Sequence, residues 1–125
     1  MCTVTERLGN WGARPQEGVA RVLGDELFYR KLLRDFSGTR DMEMLIFFVK
    51  KGAYRDGFQI AHSLKGASDN LSLTPLSQAF GAVVELLRPY SSEESGAPDA
   101  EKKETLLLSL RRAEERWSEF CRLVA

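Results

Sequence analysis

No stretch of about 18 apolar residues occurs in the chain, and the opening "MCTVTERLGN" lacks an apolar signal core, so neither a membrane span nor export is expected. Charge of one sign is also lacking. The 18 Lys and Arg balance the 18 Asp and Glu, leaving no net field to attract nucleic acid or an anionic membrane. Cysteine is scarce: Cys2 and Cys121 stand near opposite ends and give neither a metal-ligand spacing nor a disulfide framework, which fits a reducing cytosol. Strand-like alternation, internal repeats and a G-x-x-x-x-G-K-[ST] phosphate loop are missing as well. These absences point to a soluble, cytoplasmic single domain of 125 residues, with no cofactor and no metal expected.

What is present reads as helix throughout. "RPQEGVARVLG" predicts a short helix with Pro15 in its first turn and Gly24 as its stop. Asp25 is placed to cap "ELFYRKLLRDF", in which Leu27, Phe28, Leu32 and Phe36 fall near one side. A strongly apolar helix follows from about Arg40 to Lys51, then another from Tyr54 to Asn70. Thr74 is read as the cap of the next, with Pro75 at its first position and Arg88 at its end. "PYSSEESGAPD" is a loop, and Asp99 caps a long last helix. There Leu106, Leu110, Ala113, Trp117, Phe120 and Val124 repeat at three- and four-residue intervals. Six helices, four of them long and joined by short turns, predict an all-α, antiparallel four-helix bundle with one or two short N-terminal helices added.

The only histidine lies in "QIAHSLKGASDNLSL". On a helical wheel Tyr54, Ile60, Ala61, Leu64, Ala67 and Leu71 share one arc, and His62 falls on the opposite side, so its imidazole should face solvent. Arg55, Phe58, Lys65, Gly66 and Asp69 share its stripe. Gly66 costs a helix about 1 kcal/mol relative to alanine. Because helical side chains lean toward the N-terminus, a glycine at i+4 leaves one side of the ring uncovered. Lys65, at i+3, is expected to lean back toward the same ring. An exposed nucleophilic nitrogen, a cleared approach and a nearby cation suit an imidazole that receives a phosphoryl group.

His62-Ser63-Leu64-Lys65-Gly66, followed by Ser68, Leu71 and Leu76, resembles the H-x-L-K-G-x-S-x-x-L signature of histidine-containing phosphotransfer domains. The "IA" pair before His62 and the segment "GVARVLGDELFYRKLLRDF" are similar to the family as well. The resemblance covers Pro15 to Arg88 well and the last helix by topology alone. It implies a single domain over 1–125, with 1–13 a loosely ordered N-terminal segment. It implies His62 as phosphoacceptor, Lys65 as the group that steadies the phosphoryl, and Gly66 as the residue that gives access. Arg55, Phe58, Gln59 and Asp69 would belong to the partner-binding surface. Two positions depart from the family. Ser72 stands where glycine is frequent, so Asn70 is expected to take the left-handed conformation at the helix end, and Ala53 stands where the family often has Asp.

The implied activity is that of a monomeric carrier without kinase activity of its own. It would shuttle a phosphoryl group between the receiver domain of a hybrid sensor kinase and that of a response regulator, each partner bringing its own aspartate and Mg²⁺. A phosphoacceptor domain of a chemotaxis-type kinase and a non-phosphorylated interaction bundle remain open alternatives. A general-base enzyme fits poorly, since no carboxylate or hydroxyl partner for His62 is evident in the sequence.

Overall fold

The computed structural model describes residues 3–92, 94 and 96–125, so Cys2, and Glu93 and Ser95 of the predicted loop, lie outside the described residues. Among the described residues the chain is all-helical: α1 Val4–Trp11, α2 Pro15–Arg21, α3 Glu26–Ser37, α4 Asp41–Lys51, α5 Tyr54–Asn70, α6 Thr74–Leu87 and α7 Ala100–Val124, with a 3-10 turn at Arg88–Tyr90. Among the described residues no helix is long and apolar enough to cross a membrane. Local chemistry sets several ends where the sequence places them. Asp25 Oδ1 accepts from the Phe28 N–H at 3.0 Å, and Asp99 Oδ1 from the Lys102 N–H at 2.8 Å. Pro15 opens α2, and Gly52 closes α4 in the left-handed conformation. At α6 the cap position falls on Leu73 instead of Thr74, which is already helical.

The helices pack as a bundle in which α5 lies between α4 and α6, and α7 covers α6 and α3. The stripe predicted for α7 is the one that packs inward: Leu106, Leu110, Ala113, Phe120 and Val124 are buried and Trp117 is half-buried. Trp117 meets Phe36 edge-on at 5.0 Å, and Phe120 joins them at 5.5–5.6 Å. Residues 4–11 are a helix and not a loose segment, because Leu8 is fully buried and the Trp11 Nε1–H donates to Glu119 on α7 at 3.1 Å. On α3 the inward stripe is Tyr29, Leu33 and Phe36, with Leu32 half-buried, while Leu27 is 76% exposed and Phe28 43% exposed.

Tyr29 decides that rotation. Its hydroxyl donates to the Leu71 carbonyl at 2.7 Å, tying α3 to the end of α5. Arg21 adds bonds from Nη1 to the carbonyls of Asp69 (3.0 Å) and Asn70 (3.1 Å) and to Ser72 Oγ. These partners satisfy carbonyls that a helix end otherwise leaves open. Ser72, not Asn70, takes the left-handed backbone, at φ 57°. Gly18 leaves the space for Tyr29: a Cβ there would lie 2.3 Å from the tyrosine ring and 3.0 Å from the Leu71 carbonyl oxygen.

Burial pushes the Tyr29 hydroxyl up to about 12, against a smaller opposing pull from Arg21. The unfolded hydroxyl ionises near 10, so its contribution is whole below about pH 10 and is lost as pH rises through about 12. Tyr29→Phe should cost about 1–3 kcal/mol in urea unfolding at neutral pH, because the Leu71 carbonyl loses its donor. The variant should also lose less stability than the parent between pH 10 and 12. Gly18→Ala should destabilise by about 1–3 kcal/mol through overpacking. A wild-type midpoint in either variant would mean that this anchor is not holding α5.

Candidate functional site

The face of α5 follows from its buried side. Gly57, Ala61, Leu64 and Ser68 are buried at spacings of four, three and four, which fixes the rotation of the helix. Small residues in this stripe let neighbours come close: a Cβ on Gly57 would lie 3.4 Å from Val49 Cγ2 of α4. His62 is therefore exposed, as are Arg55, Gln59, Gly66 and Asp69, while Phe58 and Lys65 are partly covered. The buried part played by Gly57 and Ser68 is not carried by apolar periodicity. The Ser68 hydroxyl is accommodated by donating to the Leu64 carbonyl at 2.7 Å.

The imidazole stands above Phe58, ring centroids 6.0 Å apart. On the same ring the Arg88 guanidinium lies 5.5 Å from the centroid, within cation–π range. Arg88 is held in turn by Glu85, with Nε–Oε2 at 3.2 Å and Nη2–Oε1 at 2.9 Å. Hydrogen bonds from Arg88, then its charge and that of Lys65, hold the Glu85 carboxyl below its ordinary value. The sequence does not mark Arg88 or Glu85 as part of the site. Their i,i+3 spacing in "ELLR" marks an ion pair, but only the packing of α6 on α5 brings that pair to Phe58.

Lys65 departs from its expected direction. Its ammonium does not lean back toward His62 but sits on Asp69 Oδ2, at 3.0 Å, one turn further along α5. The i+4 carboxylate gives it an anionic partner, which a bare imidazole does not. Asp69 is itself placed by α6, where the Ser77 hydroxyl donates to Oδ1. Burial pushes the Asp69 carboxyl up, but the Ser77 hydrogen bond, the Lys65 ammonium and the Arg21 charge together outweigh it and hold it below the usual carboxylate range. The Lys65 stem lies against α6 at Gly81, where a Cβ would stand 3.3 Å from its Cε.

Gly66 faces open space. A Cβ built there meets nothing within 4 Å, so the glycine is not required by packing. The face therefore carries an exposed imidazole, an unobstructed approach one turn on, and the cations Lys65 and Arg88, each held on a carboxylate. Among the described residues no group of three or more His, Cys, Asp or Glu is placed to hold a metal ion.

Gly66→Ala should stabilise the fold by up to about 1 kcal/mol in chemical denaturation, since alanine relieves the helix cost of glycine and meets no neighbour. A destabilised variant would show that α5 runs closer to another element at Gly66 than described. No family model matches the chain, nor does any curated protein or solved structure.

Proposed function

We propose that the chain is a histidine phosphotransfer protein, carrying a phosphoryl group on His62 between the receiver domains of a hybrid sensor kinase and a response regulator. The observation that carries this reading is the exposed imidazole of His62 with open space over Gly66 on the same face. In the first half of the relay a neutral ring nitrogen attacks the phosphorus of the partner's aspartyl phosphate. The N–P bond forms as the bond from phosphorus to the carboxylate oxygen breaks, and that electron pair stays on the aspartate. The second half reverses this on the next receiver. Magnesium and the acceptor aspartate belong to the receivers, and this chain contributes the nucleophile, cations and a shape that admits the partner.

In this reading α4 to α7 form an antiparallel four-helix bundle to which the N-terminal helices are appended. The contacts of α5 with α6 support antiparallel packing of that pair, since Phe58, Lys65 and Asp69 meet Arg88, Gly81 and Ser77 in reverse order. Phe58 borders the imidazole, and Gln59, Arg55 and Asp69 lie along α5 on either side of it; together they form the docking surface for both partners, with Arg88 added to it. Lys65 steadies the phosphoryl group once it is attached, through a charge-assisted hydrogen bond worth about 1.5–3 kcal/mol.

Incubation with labelled ATP alone should leave the protein unlabelled, while a phosphorylated receiver should transfer an acid-labile, base-stable phosphate to it. His62→Gln should abolish that label while leaving helical content unchanged and the unfolding free energy within about 0.5 kcal/mol, because the side chain is exposed. Steady labelling from ATP, or undiminished labelling of the variant, would contradict the carrier role of His62.

A further inference from the structure

Lys65 lies three residues after His62 and four before Asp69, so one ammonium can serve either neighbour by rotating its stem. In the unphosphorylated protein it serves Asp69, at 3.0 Å. The carboxylate is not a chance partner. Ser77 of α6 holds its other oxygen, and Arg21 of α2 bonds the carbonyls of Asp69 and Asn70, so three helices fix the place where the ammonium rests. The stem reaches that place along α6 at Gly81, where any larger residue would crowd its Cε.

We propose that Asp69 is a positioning residue that holds Lys65 in reserve and competes with the phosphoryl group for it, an inference that rests on His62 as phosphoacceptor. A phosphoryl group brings nearly two negative charges to His62 against one on Asp69. An exposed pair such as Lys65–Asp69 is weak, so the ammonium transfers when the phosphoryl arrives and returns when it leaves. Asp69 thereby subtracts from the stabilisation of phosphohistidine. The phosphoryl group stays easy to pass on, because part of the lysine's attraction is always offset by its resting partner. Arg88 does not share this role, being held on Glu85 by two hydrogen bonds.

The test needs no partner protein. The imidazole is phosphorylated with phosphoramidate, and the phosphohistidine lifetime is followed by ³¹P NMR in four proteins: the parent, Asp69→Asn, Lys65→Ala and the double variant. Asparagine keeps the shape and the acceptor for Ser77 while removing the charge. Asp69→Asn should lengthen the lifetime about two- to fivefold, the worth of an exposed ion pair. Lys65→Ala should shorten it, and adding Asp69→Asn to Lys65→Ala should change nothing further. In the parent, the Lys65 ¹⁵Nζ signal should move on phosphorylation. An unchanged lifetime in Asp69→Asn, or an equal effect of that change with and without Lys65, would overturn the proposal. Receiver-dependent transfer is scored separately: its failure alongside the expected lifetimes would remove the relay reading and leave the competition for Lys65 standing.

Discussion

The burial of Gly57, Ala61, Leu64 and Ser68 against the helices on either side of α5 is the constraint on which the site depends. A helix has one rotation about its axis, so fixing these four residues inward fixes His62 outward, with no need for any contact to the imidazole. The end of the helix is fixed separately. Tyr29 and Arg21, from α3 and α2, take up the carbonyls of Leu71, Asp69 and Asn70. The N-terminal helices are thus more than an appendage, because they anchor the stretch of chain from which Asp69 reaches Lys65 and Ser77.

Charges along the face are arranged in pairs. Arg88 is held by Glu85 over Phe58, and Lys65 is held by Asp69 beside Ser77. A face built this way does not present a strong field to the solvent, in keeping with the equal numbers of acidic and basic residues in the chain. In the proposed relay Lys65 becomes available when a more highly charged group arrives close by, while Arg88 stays on Glu85. Such an arrangement would suit the proposed phosphoryl carrier, for which very tight holding would be a disadvantage.

Much of this was legible in the sequence, for a physical reason. The outward direction of His62 follows from periodicity, and the caps at Asp25 and Asp99 follow from side-chain chemistry acting over three residues. What could not be read depends on contacts distant in sequence. Lys65 has neighbours at equal reach on both sides, and only Ser77, from another helix, fixes the carboxylate that holds it. On α3 two apolar stripes overlap, and the hydroxyl of Tyr29 bonding to Leu71 selects between them. Ser72 adopts the left-handed backbone expected of Asn70 because Arg21 bonds its hydroxyl and the Arg14 N–H bonds its carbonyl at 2.9 Å. The α1 helix is eight residues long, and its Leu8 is buried only through the bundle it packs on.

The single histidine allows phosphorylation of the imidazole to be observed directly. A sample labelled with ¹⁵N in its histidine ring has one imidazole to observe, and it can be mixed with a receiver domain bearing an aspartyl phosphate. One of the two ring nitrogens should shift and couple to phosphorus, while backbone signals should change only along α5 near His62 and at Glu85 to Arg88. An imidazole that keeps both signals unchanged with every receiver tried, or a phosphate found on any other residue, would contradict the proposed phosphotransfer on His62.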